Sequence, residues 1–190
     1  TEKTVLEVGC GYGDIGGEFL KRGARVLFSD ARMSHLDEVK KRYEHFGDKC
    51  SSMQCDLDLG FPEGHFDLVL RLGVLYQLNA PADSIRRACA TTNLLVLETE
   101  VVDSSRLEDQ IQLREEGYDQ AFGKFGTRPS AAYVEQVLLE CGFGFEMLTS
   151  DECNSGVNVY DWKVEDSGNW HPGCRRLWVC HRLKSSSPPS

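Results

Sequence analysis

No apolar stretch in this 190-residue chain approaches the roughly 20 residues that a membrane-spanning helix needs. No signal peptide is visible either. Positive charge is scarce: 21 Lys and Arg against 30 Asp and Glu leave a formal charge of −9. That argues against a broad electrostatic footprint for nucleic acid, although a local basic patch stays compatible with it. Eight cysteines are present, but no Cys-x-x-Cys pair. The best metal candidates, Cys153, His171, Cys174 and Cys180-His181, are irregularly spaced, and Cys180 and His181 would point to opposite faces of a strand. The thiols therefore read as reduced and mostly buried, which suits a cytoplasmic protein. No internal repeat is visible.

What is present begins with Glu7-Val8-Gly9-Cys10-Gly11-Tyr12-Gly13, directly after the run Thr4-Val5-Leu6. A helix-compatible stretch follows, with Asp14 placed to cap it, and Asp30 ends the next apolar run. Strand, glycine loop, helix, strand, acid predicts a nucleoside-containing cofactor at the carboxyl end of a parallel sheet. The third glycine of a dinucleotide fingerprint is missing: Asp14 stands there, and its carboxylate would repel a pyrophosphate. Carboxylates at Glu7 and Asp14 suit a ligand that presents an ammonium or a sulfonium, and the glycines let the backbone pass close beneath it.

These residues resemble the motifs of class I S-adenosylmethionine-dependent methyltransferases. The first motif matches Glu7 to Gly13, the second Asp30 and the third Asp56 in Cys55-Asp56-Leu57. The fourth matches the strand Phe66-Asp67-Leu68-Val69-Leu70 and the following Arg71-Leu72-Gly73-Val74-Leu75-Tyr76. The Gly-Val-Leu-Tyr run also resembles a subgroup that includes tRNA wobble-uridine modifying enzymes. The resemblance implies a three-layer α-β-α Rossmann-like sandwich. Its sheet would be mostly parallel and seven-stranded, with an antiparallel edge strand. It implies that Glu7, Gly9, Cys10, Gly11, Tyr12, Gly13, Asp30, Ala31, Asp56, Leu57, Arg71 and Leu72 contact S-adenosyl-L-methionine. Asp30 would take the ribose hydroxyls, since two adjacent hydroxyl donors suit one carboxylate. Asp56 would accept from the adenine amino group, with Asp58 as a competitor. Glu7 would orient the cofactor's ammonium.

Methyl transfer from a sulfonium needs an in-line nucleophile, and positioning supplies most of the rate. A base is needed only for an acceptor that arrives protonated. Tyr76 and Glu100 are the catalytic candidates, with Asp103 and Glu98 nearby. Arg32 is read as facing water and His35 as surface. The implied reaction is O- or N-methylation of a small-molecule or other polar acceptor. An RNA methyltransferase domain of a larger, viral or multifunctional protein is the second reading, and a noncatalytic binding module the third.

The sequence predicts one domain over residues 1–183 and a flexible tail over 184–190. Strands are expected at 4–8, 25–29, 51–55, 66–70, 93–98, 143–148 and 175–181. Helices are expected at 14–22, 34–46 (capped by Ser34 and ended by Gly47), 81–90 and 129–141. The third crossover should shrink to a turn over 56–65. Residues 102–128 are polar and partly helical; with the irregular 149–173 they should select the acceptor. A chain that starts on threonine, enters its first strand at once and ends in a Ser/Pro run reads as a piece of a longer polypeptide. A neighbouring domain is then a candidate partner.

Overall fold

The computed structural model describes residues 2–171 and 173–184; Thr1, Pro172 and Ser185–Ser190, and with them most of the expected tail, lie outside the described residues. The strands are β1 (Thr4–Val8), β2 (Arg25–Asp30), β3 (Cys50–Gln54), β4 (Leu68–Leu72), β5 (Leu94–Glu100), β6 (Gln110–Arg114), β7 (Phe125–Pro129), β8 (Phe143–Leu148) and β9 (Arg175–Arg182). The helices are α1 (Asp14–Lys21), α2 (Met33–Tyr43), α3 (Pro81–Ala90) and α4 (Ala131–Glu140). Seven strands form one sheet in the order β3-β2-β1-β4-β5-β9-β8. β1 to β5 run parallel, and β9 runs antiparallel to both β5 and β8. The expected mostly parallel, seven-stranded sheet is present, with its antiparallel strand toward one edge. The reversed strand is β9, one place in from the rim, so β8 regains the direction of β1.

Alternate residues of the central strands feed two cores, as the two-residue period of a strand requires. On one face Val5, Val26 and Phe28 pack under Leu20 of α1 and Leu36, Val39 and Tyr43 of α2. On the other Leu6, Val8, Val69, Leu95 and Leu97 pack under Ile85 and Ala88 of α3 and Val134, Val137 and Leu138 of α4. This makes three layers, with both sheet faces covered. No helix links β3 to β4, so the third crossover is indeed reduced to turns.

Several boundaries differ from expectation for identifiable reasons. Gly13, not Asp14, is the N-cap of α1; it has no side chain to offer, and the buried Glu7 carboxylate accepts from the Gly16 N–H (3.0 Å) in its place. Ser34 does not cap α2: Arg32 holds that position, and the Ser34 hydroxyl meets Tyr118 Oη at 3.1 Å. α2 stops at Tyr43, and Gly47 falls inside the following 3-10 stretch. Pro129 ends β7 rather than opening a helix, and Ser130 caps α4 by accepting from Tyr133 N–H (3.1 Å). The stretch expected to be partly helical is the two-stranded antiparallel hairpin β6–β7. Gln-Ile-Gln-Leu-Arg alternates polar and apolar, and Ile111 and Leu113 are half-buried between exposed neighbours.

Candidate functional site

A cleft, open at its mouth, lies at the carboxyl ends of β1, β2 and β4. Gly9, Gly11, Tyr12, Asp30, Ala31, Asp56 and Leu57 line it, together with Gly73, Val74, Gln77 and Leu78 from the segment after β4. Open parallel sheets of this kind present their ligand sites at such carboxyl ends. Gly9 packs so tightly on Val74 that an added Cβ would meet it at 2.5 Å. Gly11 has a φ of 51°, and an added Cβ would meet no protein atom within 4 Å. Its side-chain-free backbone therefore borders open cleft. Asp30 is buried and already oriented: Oδ2 accepts from Gly11 N–H (3.0 Å) and Oδ1 from Arg32 N–H (2.8 Å). A carboxylate offers about four lone-pair sites, so acceptor capacity remains for a ligand.

Asp56 and Asp58 are separated by their partners. Asp58 accepts from Asn79 N–H, Asn79 Nδ2 and Ala80 N–H, at 2.9, 2.9 and 3.3 Å, and so ties the turn that leads into α3. Asp56 accepts only from Asp58 N–H (3.0 Å) among the described residues, through one oxygen. Of the two, Asp56 keeps the freer carboxylate.

The remaining candidates lie outside the cleft lining. Glu7, Cys10 and Gly13 support the glycine loop from behind. Burial outweighs the Gly16 hydrogen bond and pushes the Glu7 carboxyl up from 4.5 to about 7, helped by Asp14. Burial likewise raises the Cys10 thiol. Arg71 is fully buried and faces α3, where Nη2 donates to Ser84 Oγ (2.8 Å); Leu72 follows it on β4. Arg71 has this orientation because its neighbour Leu70 packs on the opposite core.

Tyr76 and Glu100 belong to a buried ionic cluster beside the cleft. Arg128 bridges Glu100 (3.0 Å) and Glu115. Arg175 pairs with Glu98 and with Glu100 (3.2 Å). Tyr160 Oη donates to Glu98 Oε1 at 3.1 Å. The ring of Tyr76 lies 4.9 Å from each of the two guanidinium carbons. Burial works against the Arg175 charge, but hydrogen bonds and Coulomb attraction to Glu98 win and hold it above its ordinary range. Each oxygen of Glu100 faces an arginine, so this carboxylate is built into the ion cluster. Asp103, the other acid considered, accepts from Glu165 and Ser167 and anchors the long segment after β8.

Sequence reading missed part of the lining. His35 is buried, not surface, and Arg32 turns inward to donate to the Gln120 carbonyl. Both line the cleft, with Asp119, Phe122 and Gly123 from the loop joining β6 to β7. The available signal was positional: the first turn of the helix after Asp30 stands at the cleft's edge, because that helix starts where β2 ends. The loop contacts span more than 80 residues of sequence, and no local pattern announces them.

Residues 5–93 match a family described as "Methyltransferase domain". No curated protein sequence matches the chain. Among solved structures, the N-terminal domain of EvdMO1, determined in the presence of S-adenosylhomocysteine and D-fucose, has a TM-score of 0.75 at 19% identity over 96% of this chain and 76% of that one. An S-adenosylmethionine-dependent methyltransferase from Mesorhizobium loti has a TM-score of 0.66 at 18% identity over 95% and 91%. The Burkholderia thailandensis 1,6-didemethyltoxoflavin-N1-methyltransferase, with that compound and S-adenosylhomocysteine bound, has a TM-score of 0.61 at 17% identity over 95% and 71%. Residues 5–93, which hold the glycine loop, Asp30 and Asp56, match the methyltransferase-domain model, and the whole chain has the fold of these S-adenosylmethionine-dependent methyltransferases.

Proposed function

We propose that the chain methylates an oxygen or nitrogen of a small polar molecule, as a single domain over residues 1–183 working in the cytoplasm. The observation that carries this reading is the cleft itself: two carboxylates from successive strand tips, Asp30 and Asp56, flank a glycine whose missing side chain leaves open space. When bound, S-adenosylmethionine supplies a methyl group already activated by its sulfonium. Asp30 accepts from the ribose hydroxyls with the lone pairs that Gly11 and Arg32 leave free. Asp56 accepts from the adenine amino group, and Leu57 contacts the ring. Gly9, Gly11, Tyr12 and Ala31 form the cradle, while Glu7, Cys10 and Gly13 hold its shape. Tyr76 and the ion cluster behind it form a rigid wall on the acceptor side, so the protein contributes orientation rather than a base.

The cleft lining favours a small acceptor over a polyanion. It carries Asp30, Asp56, Asp58 and Asp119 against the single guanidinium of Arg32. Phosphates brought there would be repelled rather than release counterions. The compared Burkholderia enzyme also holds a small heterocycle. Incubation with methyl-labelled S-adenosylmethionine and a cell extract, followed by separation into RNA, protein and metabolites, tests the reading. Label in metabolites is expected; label in RNA would replace this reading with the second one.

A further inference from the structure

His35 is the buried polar group of the cleft that the methyl-transfer reading leaves unused. Its side chain is 6% exposed. Nδ1 lies 3.3 Å from Asp30 Oδ1, and Nε2 lies 3.3 Å from Asp119 Oδ1. Neither nitrogen has an aligned hydrogen-bond partner among the described residues. The two acids differ in attachment. Asp30 is fixed at the end of β2, whereas the Asp119 side chain is 67% exposed and belongs to the β6–β7 loop. That loop lies along the cleft through Asp119, Phe122 and Gly123.

We propose that His35 is a positioning residue whose protonated ring latches the β6–β7 loop across the cofactor cleft by bridging Asp30 and Asp119. A neutral imidazole has one N–H and one bare nitrogen. Between two carboxylate oxygens the bare nitrogen would set lone pair against lone pair. Only the imidazolium offers a donor to both. The other groups facing the ring are Tyr12, with centroids 5.0 Å apart, and Tyr118, at 6.2 Å. The guanidinium of Arg32, from the start of the same element, is engaged by the Gln120 carbonyl. Without the charged bridge the loop keeps that bond, Ser34 with Tyr118, and a 3.4 Å contact from Gln77 to the Asp119 carbonyl.

The latch rests on the cofactor reading above, because Asp30 is both its fixed end, through Oδ1, and the ribose acceptor, through the lone pair left on Oδ2. Cofactor residence should then be shorter where the ring is neutral than where it carries its second proton. Two measurements separate the latch from the cofactor reading. The first is amide hydrogen exchange over residues 117–123 in ligand-free protein at about pH 5.5 and about pH 8.5, corrected for intrinsic exchange. The second is S-adenosylhomocysteine dissociation under the same conditions. Loop opening and dissociation should each rise about tenfold at the higher pH in the wild type. Both responses should vanish in Asp119→Asn, which alters an exposed side chain and spares the core, and in His35→Phe. Glu7 also titrates in this window, but Asp119→Asn leaves it in place. A pH response that survives in Asp119→Asn would overturn the latch, as would a wild type with equal loop opening at both pH values. PH-dependent loop opening with no S-adenosylhomocysteine binding at either pH would keep the latch and overturn the cofactor reading.

Discussion

The two halves of the sheet's carboxyl edge treat buried carboxylates in opposite ways. At the tips of β2 and β3, Asp30 and Asp56 accept from backbone N–H groups, and neither meets an arginine or lysine among the described residues, although the His35 ring lies 3.3 Å from Asp30. At the end of β5, Glu98 and Glu100, with Glu115 just beyond β6, each meet a guanidinium. Backbone donors orient a carboxylate and leave some of its lone pairs free for an incoming hydroxyl or amine. Fixed cations pair the charge itself, and the pair becomes structure. Under the proposed function, the contrast separates a half that would hold the ligand from a half that shapes the wall beside it.

Three changes probe this contrast. The largest effect should come from Arg175→Met, which leaves Glu98 without its cation and removes one of the two that serve Glu100. Breaking a buried pair from one side costs about 3–5 kcal/mol, which denaturant unfolding reads directly. A loss below about 1 kcal/mol would place the cluster with surface ion pairs and erase the distinction.

Next is Glu7→Gln. The Glu7 carboxyl is raised from 4.5 to about 7 in the folded chain, so the fold keeps a proton that the unfolded chain has released. Its contribution to stability is therefore full below 4.5 and lost as pH rises through about 7, a change of up to about 3 kcal/mol. Glutamine can still accept from Gly16 but does not titrate. Urea unfolding of the variant at several pH values should lack this slope; an unchanged slope would assign it to another group.

The smallest expected effect is that of Asp30→Ala on ligand affinity. Removing a charged acceptor from two hydroxyls should weaken S-adenosylhomocysteine binding by about 1.5–3 kcal/mol in calorimetry. No change would move the ribose role off the β2 tip.

The same division explains what could be read from sequence. The cofactor half is written locally: Glu7 to Gly13, Asp30 and Asp56 each follow a strand, and strand ends fix where such residues lie. The parallel order of the sheet and its two helical layers follow from the same periodicities. The half around the ion cluster depends on partners far apart in the chain, such as Arg175 with Glu98 and Arg128 with Glu100. Glu100 read as a candidate base because its two arginines are invisible from its own neighbourhood. His35 read as surface for a similar reason, since Tyr118 and Asp119, which flank it, arrive from a hairpin that polar composition disguised as part-helical. Arg71 sat inside a matched motif, yet strand alternation turned it toward α3.

The most direct test of the account is calorimetric titration of S-adenosylhomocysteine into the wild type and Gly11→Val. Position 11 borders open cleft, where an added Cβ meets no protein atom within 4 Å, so a side chain there enters the space assigned to the cofactor; at a φ of 51° it also strains the loop, which is why the retained fold is measured alongside. The account predicts binding to the wild type and at least about a hundredfold weaker binding to the variant, with circular dichroism showing the fold retained. Equal affinity in the two proteins would contradict it.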